Sequence, residues 1–246
     1  MSSETRKFLF SSVGKLLAAT IAALALALVV AALAAQGAAS TSTSGNAKDA
    51  AVSFRVSTLG FGLEVGKTLH EHASARIGVN YFGKNFTQLE SDVTYRGNLR
   101  LQSVSFIGDY YPGLTNPFHL SVGVLANNTR IQAHGVAEKD GYFTINGHRY
   151  TNAQVGDLFG DATFPNAAAY LGMGWGRPVY LRSHWQLLAD LGVTFSKPTL
   201  RLTASQSGVT PGLAADLAQE QADSQHDINK WLSAFPVISF GLSYRF

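Results

Sequence analysis

Cysteine is absent from all 246 residues, which excludes both a disulfide framework and a thiolate metal site. Charge is scarce: Asp, Glu, Lys and Arg make up 14% of the chain, against roughly 25% in ordinary soluble proteins. The net charge is +3, and Arg6, Lys7 and Lys15 against Glu4 supply +2 of it near the N-terminus. The remainder is therefore close to neutral and offers no basic field for nucleic acid. Histidines are few and scattered, and His70 and His72, on a polar connection, read as solvated side chains rather than metal ligands. No cofactor is implied. Beyond residue 35 no stretch approaches the ~18 consecutive apolar residues of a spanning helix.

Present instead is a layout for export. The basic residues precede an apolar run from Leu16 to Ala35 that ends in small residues, and Ala32-Leu33-Ala34 fits the A-x-A cleavage rule. Residues 1–35 are expected to be a cleaved signal peptide, residues 36–50 a flexible mature N-terminus, and residues 51–246 a single folded unit.

That unit alternates. Val52, Phe54 and Val56 fall on even positions and Leu59, Phe61, Leu63 and Val65 on odd ones, so the phase flips near Thr58. The flip reads as a turn between two strands, a bulge being the other option. Ala73 to Tyr81 alternates cleanly, and 83–91 is expected to be a loop. Val93 to Tyr111 is extended, with a second phase flip around Gln102. Further stripes are Leu120 to Val124, Ala167 to Trp175, Trp185 to Phe195 and Ile238 to Phe246. The insertion at 131–165 is polar and holds an Asn146-Gly147 pair suited to a type I′ hairpin. Pro211 to Leu232 reads as a helix. The expected fold is all-β: an antiparallel up-and-down transmembrane barrel of eight strands, or ten if the Asn146-Gly147 hairpin joins the wall, with a helical segment in one long loop. Short turns near 68–72, 112–116 and 177–182 fall at one end, and long connections at the other. Tyr81, Phe82, Tyr95, Phe164, Phe195 and Phe235 are expected to form the aromatic girdle at the long-loop end.

The last stretch, SAFPVISFGLSYRF, places Phe240, Leu242, Tyr244 and Phe246 on one face and ends on an aromatic residue. With the leader and the alternating strands, it resembles small bacterial outer-membrane barrels of the OmpA/OmpX and OmpW kind. The resemblance implies an outer-membrane location reached by secretory export, contact with outer-membrane lipid, and reading of Phe240, Leu242, Tyr244 and Phe246 as an assembly signal by the periplasmic insertion machinery. It implies no particular extracellular ligand.

The alternation also points a polar set inward: Glu64, Arg76, Asp109, His119, Asp190 and Arg245. An eight-stranded barrel is just wide enough for side chains to fill, and buried charges need partners, so these residues are expected to form ion pairs. His119-Leu120-Ser121 resembles the His-x-Ser arrangement of outer-membrane lipid A deacylases. Its expected place near the periplasmic end, with no acid evident to orient the ring, argues against catalysis. The expectation is a non-enzymatic barrel with a structural or loop-binding role, the alternative being a narrow channel for small apolar or weakly polar solutes.

Overall fold

The computed structural model describes residues 50–90, 93–114, 116–137, 141–177 and 184–245. The expected signal peptide, nearly all of the flexible N-terminus, and Phe246 lie outside them. Among the described residues thirteen strands form: β1 Ala50–Ser57, β2 Gly60–His70, β3 Ala73–Glu90, β4 Val93–Tyr110, β5 Phe118–Asn127, β6 Arg130–Ala137, β7 Tyr142–Ile145, β8 His148–Thr151, β9 Leu158–Thr163, β10 Ala167–Trp175, β11 Trp185–Phe195, β12 Thr199–Ala204 and β13 Ala234–Arg245. Two helices, α1 (Asn152–Val155) and α2 (Leu213–Leu232), sit in the long connections. No helix among the described residues is long and apolar enough to cross a membrane.

Eight strands close a barrel in the order β1-β2-β3-β4-β5-β10-β11-β13. The ends of the chain meet, with β13 running antiparallel to β1 from Ala51↔Arg245 to Ser57↔Ser239. The phase flip near Thr58 is a turn, entered from β1 and left through Gly60 at φ 110°, a backbone region that L side chains rarely adopt. The Asn146-Gly147 hairpin forms as expected, with φ 48° and 83°. It pairs only within itself, as β7–β8, and adds nothing to the wall.

Two expectations fail, and for one reason. Residues 83–90 are strand, and the flip around Gln102 is not a change of strand phase. β3 and β4 pair without a shift from Ala73↔Tyr110 to Glu90↔Val93, so odd residues of β4 face inward along its whole length. What inverts is the surroundings. Below Gln102 the outward residues are Val104, Phe106 and Tyr110, and the inward ones Ser103, Ser105 and Asp109. Above it the outward residues are Arg100, Asn98 and Arg96, and the inward ones Leu101, Leu99 and Val93. β3 inverts at the same height, because Tyr81 pairs with Gln102. A polar interior inside an apolar belt gives way to an apolar interior inside a polar surface, as expected where a wall leaves lipid for water.

Gln102 also marks a change of partner. β4 pairs with β5 from Ser103 to Tyr110 and with β6 from Val93 to Arg100. Sheet β6-β9-β12 peels away there to form a cap, so much of the polar insertion at 131–165 is strand rather than loop. Phe143, Ile145, Val155, Leu200, Leu213 and Leu217 form the cap core against Val93. Helix α2 covers the free edge of β12: Gln225 and Gln221 side chains accept from the Leu200 and Leu202 N–H groups at 2.7 and 2.9 Å, which blunts an otherwise open ladder. Asp216 on α2 accepts from the Tyr150 hydroxyl, from Asn146 at 3.0 Å and from the His148 ring at 2.8 Å. Those bonds, the Tyr150 one foremost, hold its carboxyl below the usual carboxylate range.

The aromatic girdle is partly corrected. Tyr81 and Phe195 do point outward at 57% and 49% exposure. Tyr95 packs against the cap core, and Phe82, Phe164 and Phe235 line the interior.

Candidate functional site

The barrel interior is the site that the fold builds, and every wall strand contributes to it. β1 offers Arg55, β2 Glu64, β3 Arg76, β4 Asp109, β5 His119 and Ser121, β11 Asp190 and β13 Ser239, all buried. β10 contributes Gly174. A Cβ there would lie 2.5 Å from both Asp190 Oδ1 and His119 Nε2, so the glycine makes room for that pair, its two cross-strand neighbours, to meet over β10.

Arg76 is the hub. Its Nη1 lies 3.5 Å from Glu64 Oε2, and its Nη2 donates to Asp190 Oδ1 at 3.1 Å and to Ser121 Oγ at 3.3 Å. Its Nε faces Asp109 Oδ2 at 3.0 Å as an ion pair, without the alignment of a hydrogen bond. Arg55 binds the other side, with Nε donating to Glu64 Oε1 at 3.0 Å, Nη1 to Asp190 Oδ2, and Nη1 to Ser239 Oγ at 3.4 Å. Removing these charges from water is costly, and only close pairing with satisfied hydrogen bonds offsets that cost. A residual void of about 40 Å³ lies beside the network, with room for a few water molecules.

Below it, towards the short turns, Arg177 closes the end. Its guanidinium donates to the Leu114 carbonyl at 2.8 Å and to the Glu71 carbonyl, and lies 4.7 Å from the centre of the Tyr111 ring. Above the network the interior turns apolar. A cavity of about 100 Å³ is lined by Leu59, Phe86, Leu101, Leu125, Phe164 and Phe235, with Leu232 of α2 also on its wall.

Of the residues expected inside, Glu64, Arg76, Asp109, His119 and Asp190 come together in this one network. Arg245 shares the inward parity, opposite Ala51, but is half-buried at the end of β13, where its N–H donates to the His184 carbonyl at 2.8 Å. The second cation of the network is Arg55, which the sequence reading missed. Its signal was there, since Ala51, Ser53, Arg55 and Ser57 make up the polar or small parity of β1. Phe240, Leu242 and Tyr244 lie on β13 at intermediate exposure, on the outward parity.

His119 has an orienting acid after all: its Nε2 lies 2.9 Å from Asp190 Oδ1, while Nδ1 faces the Pro117 carbonyl at 3.4 Å. Ser121 donates instead to Asp109 Oδ1 at 2.6 Å. Both ring nitrogens are thus turned to other groups, and the His-x-Ser pair is not arranged as base and nucleophile. Among the described residues no cluster of His, Asp and Glu is placed to hold a metal.

Outside, Leu63, Val79, Val122, Leu171 and Leu191 are each more than half exposed, and with Phe54, Phe106 and Trp175 they make a continuous apolar belt. A belt of this kind is far larger than the patches that water-soluble monomers expose. A closed barrel, apolar outside and charged inside, has the fold of an outer-membrane β-barrel protein.

Solved structures of that class align along most of the chain. Acinetobacter baumannii CarO2 matches with a TM-score of 0.57 and 14% identity, covering 80% of this chain and 98% of its own. A. baumannii CarO matches with a TM-score of 0.54 and 17% identity, covering 81% and 98%. A major outer membrane protein from Thermus thermophilus aligns with a TM-score of 0.37 and 14% identity, covering 80% and 99%. At such identities the likeness to the first two is one of fold. No protein-family model and no curated protein matches the sequence.

Proposed function

We propose that this protein is a bacterial outer-membrane barrel, exported through its N-terminal leader, whose lumen is closed and whose role is structural or binding rather than catalytic. In this orientation the Arg177 end faces the periplasm and the cap faces outward. The observation that carries the closed lumen is the Arg55–Glu64–Arg76–Asp109–Asp190 network, to which strands on all sides of the barrel contribute. A solute would have to separate buried ion pairs to pass. The non-catalytic reading rests on Ser121, whose hydroxyl is committed to Asp109 rather than to His119.

The apolar cavity favours a second reading, a narrow route for small apolar solutes. The cavity lies directly above the charged layer, which an apolar solute would have to cross, and this supports binding over passage. Planar bilayers containing the purified protein test the point. Current should stay at the baseline of the bare membrane after insertion, which labelled protein in the same bilayer verifies. Discrete, repeated openings would show a conducting lumen and favour the channel.

A further inference from the structure

The outer face of the sheet just above Gln102 is built for a ligand that nothing described so far supplies. Arg100 and Arg130 are directly opposed across β4 and β6, an arrangement in which like charges destabilise a sheet. One row higher, Asn98, Gln132, Asp161 and Arg201 lie side by side across four strands, and beyond them Arg96, His134 and Phe159. Four arginines face two carboxylates. Asp161 lies 4.0 Å from Arg130, and both are about half exposed, while Asp157 lies 3.6 Å from the His134 ring. The rows enclose an open depression of about 680 Å³, walled by Arg96, Asn98, Gln132, Asp161 and Arg201. Phe159 lines it as well, 43% exposed and stacked on His134 with centroids 4.6 Å apart.

The chemistry is specific. Guanidinium groups pair with phosphate oxygens, amide side chains can donate to and accept from hydroxyls, and a part-exposed aromatic ring offers apolar contact to a sugar ring. Position supplies the rest. Arg100 is two residues above Gln102, or about 7 Å along the strand, where the apolar belt ends. Beneath it, Leu63, Val79, Tyr81 and Val104 line a shallow groove on the wall, with Gln102 at its upper edge.

We propose that this face binds the phosphorylated sugar headgroup of a glycolipid in the outer leaflet. Arg100 and Arg130 take the phosphate nearest the membrane, the depression takes the sugar, and acyl chains run down the groove below. The inference rests on the outer-membrane reading above, which could fail separately by fractionation of the protein away from the outer membrane.

The test uses the full-length mature protein in nonionic detergent, with binding of lipid A followed by native mass spectrometry. Phosphorylated lipid A should bind the wild type about tenfold more tightly than the dephosphorylated lipid, and R100Q/R130Q should lose about the same factor. R149Q should bind as the wild type does, since Arg149 lies on the β7–β8 hairpin over Tyr142. The dephosphorylation arm needs no variant, so misfolding cannot mimic it. Equal affinity for the two lipids, or unchanged binding by R100Q/R130Q, would overturn the proposal. Displacement by free glucosamine phosphate at the lipid's own concentration would also overturn it, by showing a soluble sugar phosphate as the occupant. Failure of millimolar glucosamine phosphate to displace the lipid would support it.

Discussion

Arg76→Met should cost the barrel about 3–5 kcal/mol, the usual penalty for removing one partner of a buried ion pair. The side chain touches three carboxylates at once, Glu64, Asp109 and Asp190, on three different strands. Without it, Arg55 still reaches Glu64 and Asp190, but Asp109 keeps, among the described residues, only hydroxyl partners, Ser121 at 2.6 Å and Ser74 at 3.4 Å. A buried carboxylate with no cation beside it is the expensive species. Urea unfolding in lipid bilayers, followed by tryptophan emission, measures the change as a lowered midpoint with unaltered slope. Replacing both arginines, Arg55 and Arg76, and the three carboxylates together with apolar residues of similar volume should recover most of the loss, because the charges stabilise chiefly one another. An Arg76→Met barrel as stable as the wild type would mean that water reaches the network freely, and the closed lumen would fall with it.

Ile77→Arg, one residue away on the same strand, tests the opposite face. Ile77 is 54% exposed and lies between Val65 on β2 and Phe106 on β4, themselves 56% and 50% exposed. In a water-soluble sheet a substitution at so open a position would change stability by no more than about 0.5 kcal/mol. Ile77 sits midway between Tyr81 at one edge of the belt and Ala73 at the other, so in a membrane the arginine lies near the midplane and costs about 2–4 kcal/mol. The two substitutions exchange the usual rules of inside and outside: a charge is required at 76 and forbidden at 77. Both effects are read by the same urea titration.

The fold was legible to the extent that one rule governed the chain. Period-2 alternation located the wall strands and the Thr58 turn, because along the apolar belt the two faces differ as sharply as they can. The rule broke at Gln102, where the surroundings exchange sides while the strand continues. A pattern of residues records only the difference between faces. It cannot say whether a flip belongs to the backbone or to the solvent. Hence 83–90 looked like a loop, its outward residues Gly83, Asn85 and Thr87 being polar on the face that had been apolar. The same blindness put Tyr95, Phe164 and Phe235 in the girdle, when they serve the interior above the apolar belt. Within the site, alternation placed Glu64, Arg76, Asp109, His119 and Asp190 inside. Their partners were not readable, because which inward residues meet depends on the stagger of strands around a closed wall. Arg55 follows from parity alone, since on β1 it shares the inward face of Ser53 and Ser57. That His119 meets Asp190 and Ser121 meets Asp109, each across the barrel wall's own registers, needed the structure.

A lipid sheath around the apolar belt underlies the proposed function. Cell fractionation followed by gel electrophoresis with and without boiling tests it most directly. The mature chain should sediment with the outer membrane, stay there after a urea wash, and run faster unboiled than boiled, as a barrel that resists detergent unfolding does. Recovery in the aqueous fraction, with the same mobility before and after boiling, would contradict it.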